Sequence, residues 1–176
     1  MLPELRPARL HAPAALAALE TAYDAARRAI DPELAESLRR RVAEQLGAQI
    51  EETGSTSPPA RREQACFDFA DQFVTYVPGV TVTQREAVAA ELGTQGLHEL
   101  ARMLYVFDMT DRLKLSLGRL FQPAGGGGRD RAPAAEQPLA AAVDGLHAAA
   151  MRLHSLDPVT TELVRLHCAR YHDCKT

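Results

Sequence analysis

Glu162, His167, Cys168, His172, Asp173 and Cys174 crowd into the last fifteen residues of the sequence. Two carboxylates, two imidazoles and two thiols in so short a run could relay protons, bind a metal ion or carry electrons through a thiol–disulfide couple. Zinc fits the spacing poorly. His167, Cys168, His172 and Cys174 follow one another at offsets of one, four and two, which do not reproduce the paired ligand spacing of zinc modules. Neither a metal nor another cofactor is expected. Glu162 also has a plain reading, as a surface carboxylate paired with Arg165 one helical turn away.

Other reactive residues look structural. Cys66 shares a helical stripe with Phe69 and Phe73, and is expected in the core. Cys168 falls in mid-helix and is expected to pack. Asp108, Asp111 and Arg112 resemble an acid pair with a guanidinium, but Asp108 and Arg112 stand at the spacing of a helical salt bridge.

The elements that must position these groups read as helices. Apolar residues make up 46% of the chain while aromatics are only 5% and tryptophan is absent, so a core must be built of Leu, Val and Ala, a palette that favours helix. After Pro13 comes a run of strong helix formers. Asp31 and Pro32 then supply an N-cap and a proline at the first helical position, and Leu34, Leu38, Val42 and Leu46 follow at intervals of four. Cys66, Phe69, Phe73 and Tyr76 keep helical spacing until Pro78 and Gly79 interrupt it. Thr83 and Glu86 suggest a capping box for a short helix ending near Gly93, and Thr94 opens the longest helix. Its two stripes, Leu97, Leu100, Leu104, Phe107 and Met103, Val106, Leu113, Leu117, Leu120, predict a central element buried around most of its circumference. Residues 122–137, with four consecutive glycines and flanking prolines, read as a flexible linker.

After the linker, "AAMRLHSLDPVTTELVRLHCARYHDC" aligns with the earlier "AARRAIDPELAESLRRRVAEQLGA" on the Asp-Pro pair. Glu162 then stands over Glu36, Arg165 over Arg39 and Ala169 over Ala43. Leu139, Val143, Leu146 and then Leu156, Val159, Leu163, Leu166 form apolar stripes that require cover.

The segment "LDPVTTELVRLHCARYHDC" resembles the opening of the carboxymuconolactone decarboxylase and alkylhydroperoxidase D-like proteins. Active members of that family place a glutamate twelve residues before the first cysteine of a C-x-x-C-x-x-x-H motif, and Glu162 and Cys174 have that spacing. "REQACFDFADQFVTYVPGV" and "FDMTDRLKLSLGRLF" resemble the later half of such a domain. The resemblance implies an all-α helical bundle: residues 1–121 as one degenerate copy, and 138–176 as the N-terminal part of a second. It implies Glu162 as proton acceptor and Cys174 as attacking or resolving thiol, in a thiol-dependent peroxidase or disulfide reductase with a thiol–disulfide redox partner. It also implies a homo-oligomer, since the family forms trimers and larger rings. The motif is incomplete: its second cysteine and its histidine would fall beyond Thr176, and the first copy carries Ala48, Glu51 and Ser55 in the motif's places. The other reading is a non-catalytic helical module for oligomerisation or binding.

Helical geometry limits the pair. In one straight helix Glu162 and Cys174 would lie about 18 Å apart along the axis and roughly 120° apart around it. The chain must turn for them to meet, with Asp173 as N-cap and Cys174 opening a further helix whose N–H groups would lower its pKa. Cys168 and Cys174 face the same obstacle to pairing. Without that further helix, Cys174 is expected to behave as an ordinary exposed thiol.

A formal charge of −3 with interspersed signs gives no field that would draw nucleic acid or an anionic membrane surface. No apolar stretch approaches the ~20 residues of a membrane span, and no cleavage pattern follows the first residues. Three cysteines are too few for a disulfide framework. A cytoplasmic protein is expected.

Overall fold

Aspartate, proline and glycine punctuate the chain where the helices begin and end. The computed structural model describes residues 5, 9, 11–48, 59–120, 137–153 and 157–171. Among them every regular element is helical, and the fold is all-α. The order is α1 (Pro13–Ala26), α2 (Pro32–Gln45), α3 (Arg61–Tyr76), α4 (Val82–Leu120), α5 (Leu139–Ala150) and α6 (Pro158–Tyr171), with one 3-10 turn at Val77–Gly79.

Local chemistry accounts for the boundaries. Asp31 caps α2 as expected, its Oδ1 accepting from the Leu34 N–H at 3.1 Å. The same helix closes on Gly47 at φ 83°, with Ala48 N–H on Ala43 O and Gly47 N–H on Glu44 O, both 2.9 Å. Those two bonds satisfy carbonyls that a helix end leaves open. The 3-10 turn at Val77–Gly79 ends α3 where Pro78 and Gly79 stand in the sequence.

The capping box of α4 sits two residues earlier than Thr83 and Glu86. Thr81 N–H donates to Gln84 Oε1 at 2.9 Å, and Gln84 N–H to Thr81 Oγ1 at 3.2 Å. Gln84 also donates to the Asp68 carbonyl at 3.0 Å, so a contact with α3 fixes the register of the start. Gly93, at φ 75° and ψ 169°, interrupts the helical backbone within α4. Only a glycine adopts that conformation without strain.

The second run of α4 is the axis of the molecule. Leu100, Met103, Leu104, Val106 and Phe107 are wholly buried. Leu16, Leu19 and Ala22 of α1, Leu34, Leu38 and Val42 of α2, Cys66, Phe69 and Val74 of α3, and Leu139, Val143 and Leu146 of α5 complete one continuous core. Each such aliphatic side chain contributes about 1.5–3 kcal/mol on burial. α5 lies along α1 and reaches α4, where His147 Nε2 meets the Tyr105 hydroxyl at 3.2 Å.

Polar clasps fix helix to helix. Arg41 of α2 donates through Nε and Nη2 to both oxygens of Asp71 in α3 at 2.6 Å. The Arg112 guanidinium bonds Asp108 at 2.8 Å, as the spacing predicted, and also donates to the Val74 carbonyl of α3 at 3.0 Å. No helix among the described residues is long and apolar enough to cross a membrane.

Candidate functional site

The expected site divides between α6 and residues beyond it. Asp157 caps α6: its Oδ1 accepts from the Thr160 N–H at 2.9 Å, and Thr160 Oγ1 donates to its other oxygen. The Thr160 hydroxyl and N–H hold the Asp157 carboxyl below its ordinary pKa. Glu162, His167 and Cys168 are exposed along the helix. The expectation that Cys168 packs is therefore corrected: no helix among the described residues lies along α6, so a mid-helix position there confers no burial.

Glu162 and Cys168, six residues apart, are separated by about 9 Å of helical rise and roughly 120° of azimuth. They form no thiol–carboxylate pair. Cys174, with His172 and Asp173, lies outside the described residues, as does nearly all of the 122–137 segment. No group of three His, Cys, Asp or Glu side chains among the described residues could hold a metal ion.

Cys66 sits where the stripe predicted. It is wholly buried beneath α3, and burial pushes its thiol up to about 11. Such a thiol is almost entirely protonated at neutral pH and is a poor nucleophile.

A polar cluster between α1, α2 and α4 escaped the sequence reading. Asp111 is buried; Lys114 donates to its Oδ1 at 2.9 Å, and no partner among the described residues reaches its Oδ2. The same ammonium lies 5.5 Å from the Tyr23 ring centre, and Tyr23 meets Phe107 edge to face at 5.6 Å. Burial raises the Tyr23 phenol above its ordinary pKa. Alongside, Arg39 donates to both oxygens of Glu36 at 2.9 and 2.8 Å, and these bonds hold that carboxyl down at about 2. The Tyr23 phenol keeps its proton and the Glu36 carboxyl stays ionised near neutrality, which suits a structural clasp and not proton transfer. The available signal was the i, i+3 spacing of Asp111 and Lys114, with Tyr23 four residues after Leu19 on the apolar face of α1. A depression of about 430 Å³ between α1, α4 and the start of α5 has Arg28 and Glu99 in its walls, and neither thiol nor imidazole.

No family model matches the sequence, and no solved structure matches it. Uncharacterized proteins from two strains of Mycobacterium tuberculosis are each 30% identical to it over 133 residues, covering 70% of this chain and 45% of theirs. The chain thus spans just under half the length of these curated relatives.

Proposed function

We propose that this chain is a non-catalytic helical docking module of the cytoplasm, with α6 as its docking element. One observation carries the reading: Val159, Leu163 and Leu166 are between 54% and 68% exposed on a helix along which no other described helix packs. Exposed apolar surface gathered on one element marks an interaction site. The cysteines Cys66 and Cys168 are free, which suits a reducing compartment. The test is catalytic. Purified chain, given a peroxide and a thiol reductant, is expected to show no turnover above the reagent control, because Cys66 is inert and no second thiol among the described residues lies near Cys168.

A second reading follows from the resemblance to the carboxymuconolactone decarboxylase and alkylhydroperoxidase D-like family. It is supported by the way α5 and α6 repeat α1 and α2, each second helix beginning on an Asp-Pro cap. In that reading residues 138–176 open a second copy, Glu162 accepts the proton, Cys174 is the working thiol, and a disulfide partner regenerates it. Peroxide turnover that disappears in Cys174→Ser would replace the docking reading with this one.

A further inference from the structure

We infer that α6 docks on the α6 of a second copy of this chain, the two helices running parallel and in register along Val159, Leu163 and Leu166. The inference rests on the docking reading above and names the partner for that surface.

Spacing selects the stripe. Val159, Leu163 and Leu166 recur at intervals of four and three, which places them within about 60° of one another around the helix. This is the alternation of a coiled-coil seam. All three are exposed within their own chain. A helix of fourteen residues is marginal in water without a partner, so α6 gains the most from a surface that covers this face.

Charge selects the partner and the direction. Glu162 and His167 flank the stripe on opposite sides and are five residues apart. In parallel helices at the same register, that is the separation at which side chains beside the seam meet across it. Each Glu162 carboxylate then accepts from the partner helix's imidazole, and twofold symmetry forms the contact twice. Antiparallel helices bring like flanks together, so Glu162 meets no imidazole there. Arg170 occupies the next seam position, where two like charges end the contact. The seam is short, and association is expected only toward the upper end of a concentration series.

Cys168 lies on the side of α6 away from the stripe, about 140° from Leu163. It remains open to reagents in this dimer. A different partner, seated on the face that corresponds to the buried face of α2, would cover it.

The experiment is sedimentation equilibrium of the whole chain over a wide concentration range, with Cys168 labelling followed by peptide mapping. Average mass is expected to climb from 19.1 kDa toward twice that value, with Cys168 labelling unchanged. Leu163→Arg with Leu166→Arg is expected to abolish the rise, and Val164→Arg to leave it. Glu162→Lys and His167→Glu should each weaken it, and the two together should restore it. The double exchange keeps the test valid if the arginine variant is poorly folded. A monomer at every concentration, a dimer that protects Cys168, or a double exchange that fails to restore association overturns the inference. Monomeric mass without peroxide turnover would remove this partner alone, whereas turnover would remove the docking reading itself.

Discussion

The α1–α2 and α5–α6 pairs leave their first helix by the same hydrogen bonds. Arg27, Arg28 and Ala29 donate to Tyr23, Ala25 and Ala26; Met151, Arg152 and Leu153 donate to His147, Ala149 and Ala150. Both pairs then enter the second helix on an aspartate that accepts from the residue three positions on, at 3.1 Å for Asp31 and 2.9 Å for Asp157. From that point they diverge. Leu34, Ala35, Leu38, Val42 and Ala43 are buried in α2, where α3 and α4 pack on it. At the same register α6 carries Thr160, Thr161, Val164, Cys168 and Ala169, none of them buried. α6 also places Val159, Leu163 and Leu166 where α2 has Glu33, Ser37 and Arg40. Caps and loops are local and recur with a few residues; burial depends on which helices arrive, and here α2 receives α3 and α4 while no described helix packs along α6.

The largest contrast should appear in thiol chemistry. Cys66 belongs to a helix that covers α2, and Cys168 to a helix along which no described helix packs. With its thiol pushed up to about 11, Cys66 has on the order of a thousandth of its molecules as thiolate near pH 8. Labelling of the native chain followed by peptide mapping should find Cys168 modified and Cys66 spared, with a rate ratio on the order of a hundredfold or more. Equal rates would mean that the α2–α3 contact opens as readily as α6.

Core truncation sharpens the same comparison. Leu38→Ala removes a wholly buried side chain and should destabilise the chain by about 2–5 kcal/mol in urea unfolding. Val164→Ala, at the matching register of α6, should stay within about 0.5 kcal/mol when measured on monomer. Similar costs at the two sites would show that α6 is covered within its own chain.

The caps provide a smaller contrast. Asp31→Ala should cost about 0.5–2 kcal/mol of global stability. Asp157→Ala should loosen only α6, seen as faster amide exchange across 158–171 with an unchanged urea midpoint. A shifted midpoint would tie α6 to the cooperative core.

Much of this architecture was legible in the sequence because it is local. The Asp31-Pro32 start, the Pro78-Gly79 break, the interruption at Gly93 and the burial of Leu100, Leu104 and Phe107 all follow from residue type and period. What escaped depended on contacts between distant segments. The start of α4 moved to Thr81 because Gln84 also bonds Asp68 of α3. Asp111 turned away from Arg112 toward Lys114, which lies against Tyr23 of α1. Cys168, in mid-helix without a dipole to activate it, is expected to pack, and nothing in its own segment announces that no described helix lies along α6. Glu162 lies on a helix as its pattern required, but its pairing with Cys174 depends on residues outside those described.

The smallest effect concerns the glutamates that open the matched helices, Glu36 and Glu162. Arg39 hydrogen bonds hold the Glu36 carboxyl at about 2, against 4.5 for an ordinary glutamate. A folded-state value below the unfolded one means that the unfolded chain binds the proton more readily, so acid favours unfolding. The contribution is fully present above about pH 4.5 and is lost as the pH falls toward 2. Both side chains reach solvent, at 36% exposure for Glu36 and 23% for Arg39, so screening reduces the effect to about 0.5–1 kcal/mol. Glu36→Gln should flatten the urea midpoint against pH between 4.5 and 2 by that amount, and added salt should shrink the difference. Glu162→Gln, on a helix outside the core, should leave the profile unchanged. If the two variants alter the acid limb equally, the matched helices are equally coupled to the fold, and the asymmetry between the pairs is confined to their apolar faces.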